Sequence, residues 1–168
     1  MKRLYVVRHA QAVVDNDTPD YDRALSKDGI NEAQNVAYKL ASTGMRPDLM
    51  ITSGARRSLD TARIIREVFG LLSSAIQVHD ELYLADADKI FEALTQIPDN
   101  KNSVMVISHN PGISRFLEDI TGNDKVTMTT GSMAVVEIHA MHWSDIASRP
   151  HMGRQLIFFS PHSVTDHE

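Results

Sequence analysis

The chain has 168 residues, 42% of them hydrophobic, enough for one domain spanning residues 1–168 to bury a core without covalent staples. It holds no cysteine, which excludes disulfides, cysteine-ligated metal sites and every cysteine nucleophile. Seventeen Lys and Arg against 22 Asp and Glu give a net charge of −5 without a basic tract, so neither nucleic-acid binding nor a membrane-surface role has support. The opening Met1–Arg8 meets arginine after four apolar residues, too few for a signal-peptide core, and the expected location is the cytoplasm.

Leu4–Val7 is a short β-forming run that stops at Arg8-His9, the pattern of a buried strand delivering polar residues at its carboxyl end. Val14–Asp28 reads as a loop, with Ser26 placed to cap a helix whose stripe is Ile30, Ala33, Ala37, Leu40 and Ala41 and whose stop is Gly44. Leu49–Thr52 predicts a second strand. Ser53 is the expected cap of a helix with the stripe Leu59, Ala62, Ile65, Val68 and Phe69, ended by Gly70. A short third strand over Ile76–Val78 precedes a helix marked by Ile90, Phe91, Leu94 and Ile97 and broken at Pro98. Val104–Ile107 is the clearest buried strand; it ends at Ser108-His109-Asn110-Pro111, where Asn110 suits an N-cap and Pro111 the first position of a helix striped by Ile113, Phe116, Leu117 and Ile120. Met133, Val136 and Ile138, then Leu156–Phe159, predict two closing strands across a polar segment from about Met141 to Arg154. Strands alternating with helices predict an α/β fold, a three-layer α/β/α sandwich with a mostly parallel central sheet and an antiparallel edge.

Function in such sheets collects beyond the strand carboxyl ends. There stand Arg8-His9 after the first strand, Ser53 with Arg56-Arg57 after the second, and Ser108-His109-Asn110 after the fourth. A single strand-end histidine is an ordinary polar residue leaving a sheet, but two of them with two or three arginines form a constellation. These arginines have no carboxylate beside them in sequence, so the crevice is expected to take an anion, and guanidinium forks match phosphate oxygens. A histidine among them is held neutral, and neutral imidazole is a nucleophile toward phosphorus. Such a site performs phosphoryl transfer with no metal and no other cofactor.

The segment Leu4-Tyr5-Val6-Val7-Arg8-His9-Ala10 resembles the signature strand end of the histidine phosphatase superfamily, in particular its small SixA-like phosphohistidine phosphatases. Arg23-Ala24-Leu25-Ser26-Lys27-Asp28-Gly29 is similar to the segment that opens the family's first helix. Ser53–Ala62 is similar to its Ser-x-x-x-Arg-Ala-x-Gln-Thr-Ala stretch, and Val106–Pro111 to its second-histidine motif. The chain has no room for the long helical insertions of the mutase and acid phosphatase branches. The resemblance implies that His9 is the nucleophile, that Arg8, Arg57 and His109 hold the phosphoryl oxygens, and that Arg23 extends the clamp, with Asn110 also binding substrate. Arg57 rather than Arg56 is chosen because Arg57 and Thr61 share a helix face.

Ala10, Ala24 and Asp60 depart from the family's glycine, proline and glutamine. The mutase branch has a glutamate proton donor after its third strand; here Glu81, Asp86 and Asp88 are equal candidates. A phosphoester leaves as an alkoxide and gains from an acid, whereas phosphohistidine expels a better leaving group, so a missing acid favours protein phosphohistidine as substrate over a small phosphorylated metabolite. A non-catalytic phosphate-binding module is the alternative from another class. Asp15-Asn16-Asp17-Thr18 resembles an aspartate-nucleophile motif out of register and reads as loop. His139, His142 and His151 lack the spacing of a metal motif and read as surface histidines.

Overall fold

Apolar alternation along the strands builds two separate cores. In the computed structural model, which describes residues 1–124, 126–148 and 151–162, six strands form one sheet in the order β3-β2-β4-β1-β5-β6. They are β1 (Lys2–Arg8), β2 (Leu49–Thr52), β3 (Ile76–Val78), β4 (Ser103–Ser108), β5 (Met133–Ile138) and β6 (Gly153–Phe159). The first four run parallel, and β5 and β6 close the edge antiparallel. Because successive side chains point to opposite faces, Leu4 and Val6 enter one core while Tyr5 and Val7 enter the other.

Helices α1 (Lys27–Ser42) and α2 (Arg56–Phe69) cover the Tyr5 face; α3 (Ala87–Thr95) and α4 (Gly112–Thr121) cover the Leu4 face. The result is the α/β/α sandwich with a mostly parallel sheet. The topology positions the site: β1 feeds α1 on one face and its neighbour β4 feeds α4 on the other, so their connections diverge and open a crevice between the two carboxyl ends.

Several local expectations are corrected. In α1 the buried residues are Gly29, Glu32, Ala33, Val36, Ala37 and Leu40, while Ile30 and Ala41 face solvent. The stripe is rotated because Glu32 is drawn inward by the Gln11 backbone N–H at 2.7 Å and the Thr130 hydroxyl at 2.9 Å. In α2, Leu59, Val68 and Phe69 are only half-buried, and Arg57, Ser58 and Thr61 take the inner face toward the strand ends. Ser53 does not cap α2; Ala55 holds that position without a side-chain bond. Pro111, not Asn110, precedes α4, and the Ile113 N–H reaches back to the His109 carbonyl at 2.8 Å. The segment read as polar contains a 3-10 turn over Trp143–Ser148 that sends Trp143 and Ile146 into the core, and β6 already begins at Gly153. Of that segment, Arg149 and Pro150 lie outside the described residues. Among the described residues no helix is long and apolar enough to cross a membrane.

Candidate active site

Adjacent strands bring their last residues together. Arg8 pairs with Ser108 in register, the His9 N–H donates to the Ser108 carbonyl at 3.1 Å, and the His9 and His109 rings lie 5.0 Å apart. Both histidines are buried. His9 Nδ1–H donates to the carbonyl of Ala10 at 2.8 Å, which places the lone pair on Nε2. The turn that carries this ring is pinned by Thr61, whose hydroxyl accepts from the Ala10 N–H at 3.0 Å while donating to the Arg57 carbonyl at 2.7 Å. Arg57 and Thr61 thus share the face the spacing predicted.

Burial, then the guanidinium charges of Arg57, Arg8 and Arg23, push the His9 imidazole down to about 4. His109 is pushed down to about 3 by burial, by its neighbour His9, and by Arg57 and Arg8, against the raising effect of Asp20. Both rings are neutral near pH 7. Arg57 Nη2 can only donate, at 3.4 Å, to His109 Nδ1, so the His109 proton sits on Nε2 and is given to Ser53 Oγ at 2.7 Å. That bond is why Ser53 is unavailable as a helix cap.

Arg8 Nη1 donates to the Met128 carbonyl at 3.0 Å, and the Asn110 carboxamide donates to the same oxygen at 2.8 Å while accepting from the Ser114 hydroxyl at 2.6 Å. Arg8 and Asn110 thus share one backbone acceptor. Arg8 Nε and Arg57 Nε are buried donors with no hydrogen-bond partner among the described residues. Buried cationic N–H groups without a partner are free to meet an oxyanion, and the charges of the same two arginines act on the His9 imidazole.

No carboxylate stands beside these arginines in sequence, but the fold brings one to Arg57 and Arg23. The loop between β1 and α1, closed by the Ala12–Leu25 bridge, returns Asp20 to the site from 37 positions before Arg57. Its carbonyl accepts from Arg57 Nη1 at 2.7 Å and its Oδ2 from Nη2 at 3.0 Å. Arg23, expected in the clamp, turns its fork onto Asp20 Oδ1 at 2.9 and 3.1 Å and donates to the Val13 carbonyl at 2.9 Å. The Tyr83 hydroxyl also donates to Asp20 Oδ2, and the Tyr83 ring stands edge-on to His109 at 5.5 Å. Asp20, Tyr83, Ser53 and Thr61 are site residues that sequence reasoning missed in these roles. Asp20 was hidden among the five aspartates between positions 15 and 28.

The three proton-donor candidates do not converge on the histidines. Glu81 turns to His79 at 3.2 Å; Asp86 caps α3 by accepting from the Lys89 N–H at 3.0 Å; Asp88 lines a hollow between α3 and α4 with Phe91, Glu92 and Asp119. Asp15 is exposed and bound to its own loop at Asp17 and Thr18. His139, His142 and His151 are exposed, with His142 bound to Asp99 at 2.8 Å.

The family model of the histidine phosphatase superfamily (branch 1) matches residues 4–86. An uncharacterized chloroplastic protein of Arabidopsis thaliana is 28% identical over 154 residues, 86% of this chain and 70% of its own length. A solved structure assigned as the phosphohistidine phosphatase SixA of Agrobacterium tumefaciens superposes with a TM-score of 0.80 at 27% identity, over 95% of this chain and 98% of that one. The protein histidine phosphatase SixA complexed with tungstate has a TM-score of 0.77 at 24% identity, over 95% and 97%.

Proposed function

Because the chain belongs to the histidine phosphatase superfamily, in its SixA-like branch, we propose that it hydrolyses phosphohistidine on a protein through a covalent phosphohistidine on His9. The observation that carries this reading is the His9 ring: its Nδ1–H is tied to Ala10, its Nε2 is left bare, and the charges that act on it include those of Arg57 and Arg8, each of which holds a buried Nε–H without a partner among the described residues. Nε2 attacks phosphorus, the bond to the leaving group breaks, and the phosphoryl oxygens are met by Arg8 Nε and Arg57 Nε. As the anion arrives it favours imidazolium, so His109 Nδ1 gives up its bond from Arg57 Nη2, takes a proton from solvent and, keeping that proton, donates a hydrogen bond to a phosphoryl oxygen. Water then attacks phosphorus from the side the first product has left, the P–N bond breaks with its electron pair returning to His9 Nε2, and the water proton passes to a phosphate oxygen, releasing hydrogen phosphate and restoring His9.

Glu81 is engaged with His79, Asp86 with the start of α3, and Asp88 lines a separate hollow, while Asp20 is held ionised by Tyr83, Arg23 and Arg57. A site with this set of carboxylates suits a leaving group that needs no proton, which is the argument for phosphohistidine over an alkyl phosphoester. Arg8, Arg57 and His109 supply the positive charge that magnesium supplies in other phosphoryl transfers, so catalysis needs no divalent metal.

Quenching without acid after exposure to labelled phosphoprotein is expected to leave label on the wild type and none on His9→Ala. Turnover is expected to survive EDTA and to be inhibited competitively by vanadate. Wild-type turnover by His9→Ala would overturn the mechanism, and hydrolysis confined to small phosphoesters would overturn the substrate.

A further inference from the structure

A carboxylate built into an anion receptor opposes the substrate it should welcome. Asp20 is nonetheless anchored from several sides, by the Tyr83 hydroxyl, Arg23 and Arg57, and these contacts hold it well below the usual carboxylate range, while its charge is felt at His109. Its place explains it. The His9 residue is 8% exposed and the Arg57 side chain 3%, while the Asp20 side chain is 47% exposed, so Asp20 stands at the mouth and His9 at the floor.

In an in-line displacement the departing group leaves opposite the attacking nitrogen. With His9 at the floor, that direction is outward, past Asp20 and Tyr83. Tyr21 adds a second ring, edge-on to Tyr83 at 5.0 Å and fixed by its hydroxyl to Asp80 at 3.0 Å. A carboxylate beside two aromatic rings attracts a flat, positively charged N–H group and repels an anionic one.

We propose that Asp20 is a specificity-determining residue that accepts a hydrogen bond from the far ring nitrogen of the phosphorylated imidazole, keeping that ring protonated until it departs. The inference rests on the phosphohistidine reading above. The balance is complete without an added proton. His9 Nε2 forms its bond to phosphorus, the P–N bond of the substrate breaks, and its electron pair returns to the departing nitrogen. The far nitrogen keeps its proton, so a ring that was cationic while phosphorylated leaves as neutral histidine. An alkoxide would need a proton that the ionised Asp20 does not have.

The test compares kcat/KM for free phosphohistidine and for p-nitrophenyl phosphate across pH in the wild type, Asp20→Asn and Tyr83→Phe. Loss of one charge-assisted hydrogen bond corresponds to about ten- to hundredfold in rate, so the phosphohistidine-to-ester ratio is expected to fall by that much in Asp20→Asn. The high-pH limb of the phosphohistidine profile is expected to move to lower pH, because the substrate ring must then be protonated by solvent alone. Tyr83→Phe, which keeps the ring and releases the carboxylate, is expected to shift the ratio in the same direction and carries the test if Asp20→Asn does not fold. An unchanged ratio, with both substrates affected equally, would show that Asp20 merely orients Arg57 and would overturn the inference while leaving the proposed function intact. A wild type that hydrolyses the ester but not phosphohistidine would overturn both.

Discussion

Arg57 lies under Asp20 with its Nε turned inward, whereas the Arg56 side chain is 61% exposed and pairs with Asp60 at 3.6 Å across one helical turn. An exposed pair of that kind contributes about 0.3–0.5 kcal/mol, while removing one preorganised donor to a transition state costs about 10²-fold or more. Arg57→Ala is therefore expected to lose at least about 10²-fold in kcat and Arg56→Ala to stay close to wild type, measured on the same phosphorylated substrate. Equal losses would mean that the helix presents both residues to the phosphoryl group. The histidines give a second measurement. With His9 pushed down to about 4 and His109 to about 3, both imidazoles are expected to remain neutral at pH 5.5 by NMR. Vanadate is expected to raise at least one of them, since an oxyanion in the receptor reverses the sign of the local field. A His9 value above 7 in the free enzyme would contradict the cationic surroundings. The histidines and Arg57 were legible in the sequence because a strand end and a helical spacing are local facts. Asp20 was not, because a loop return has no period, and its partners Arg57 and Tyr83 lie 37 and 63 positions away.

The loop that carries His9 is held by an element whose first turn leaves it no room to shift. The Ser26 hydroxyl accepts from the Gly29 N–H at 3.0 Å, and the Ser26 N–H donates to the Gln11 carbonyl at 2.9 Å. A Cβ on Gly29 would lie 2.0 Å from that same carbonyl oxygen, which is backbone and cannot rotate away. Gly29→Ala is expected to destabilise by about 1–3 kcal/mol in urea unfolding despite alanine's better helix propensity, and to lower activity through Gln11, two residues from His9. Stability equal to or above wild type would show that the loop yields freely. Elements were legible where burial is uniform: the strand spans 49–52 and 76–78 came through unchanged, and Ile113, Phe116, Leu117 and Ile120 all face the core. They were misread where a polar side chain had a distant partner. Ser53 serves His109 rather than the start of α2, and Glu32 enters the core side of α1 to reach Gln11 and Thr130. Trp143 is buried within a stretch of polar neighbours because its indole N–H finds the Lys101 carbonyl at 2.7 Å. In each case the deciding contact is between residues far apart in the chain.

The whole molecule carries the thermodynamic consequence of its site. Two histidines that are neutral when folded and titrate near 6.5 when unfolded oppose folding in mild acid, because only the unfolded chain gains their protons there. Above pH 6.5 the effect vanishes; as pH falls it grows, and for His9 it levels off near its folded value of about 4. Full passage through that window amounts to about 3 kcal/mol for His9, a large fraction of a small domain's stability. The carboxylates held below their ordinary range, Asp15, Asp20, Glu81 and Asp99, act in a separate window: their contribution persists until the pH drops below the ordinary carboxylate value of about 4. Urea midpoints in acetate and MES are therefore expected to fall between pH 7 and 4.5, before carboxylate protonation begins to matter. His9→Asn, which carries no titrating ring at that position, is expected to show a shallower fall than the wild type over the same range, whatever its stability at pH 7. Inorganic phosphate is expected to flatten the wild-type fall as well, because the bound anion favours imidazolium in the folded state and returns to it the protons that the unfolded chain would otherwise hold alone. Parallel slopes for wild type and variant, unmoved by phosphate, would place the acid sensitivity outside the histidine pair.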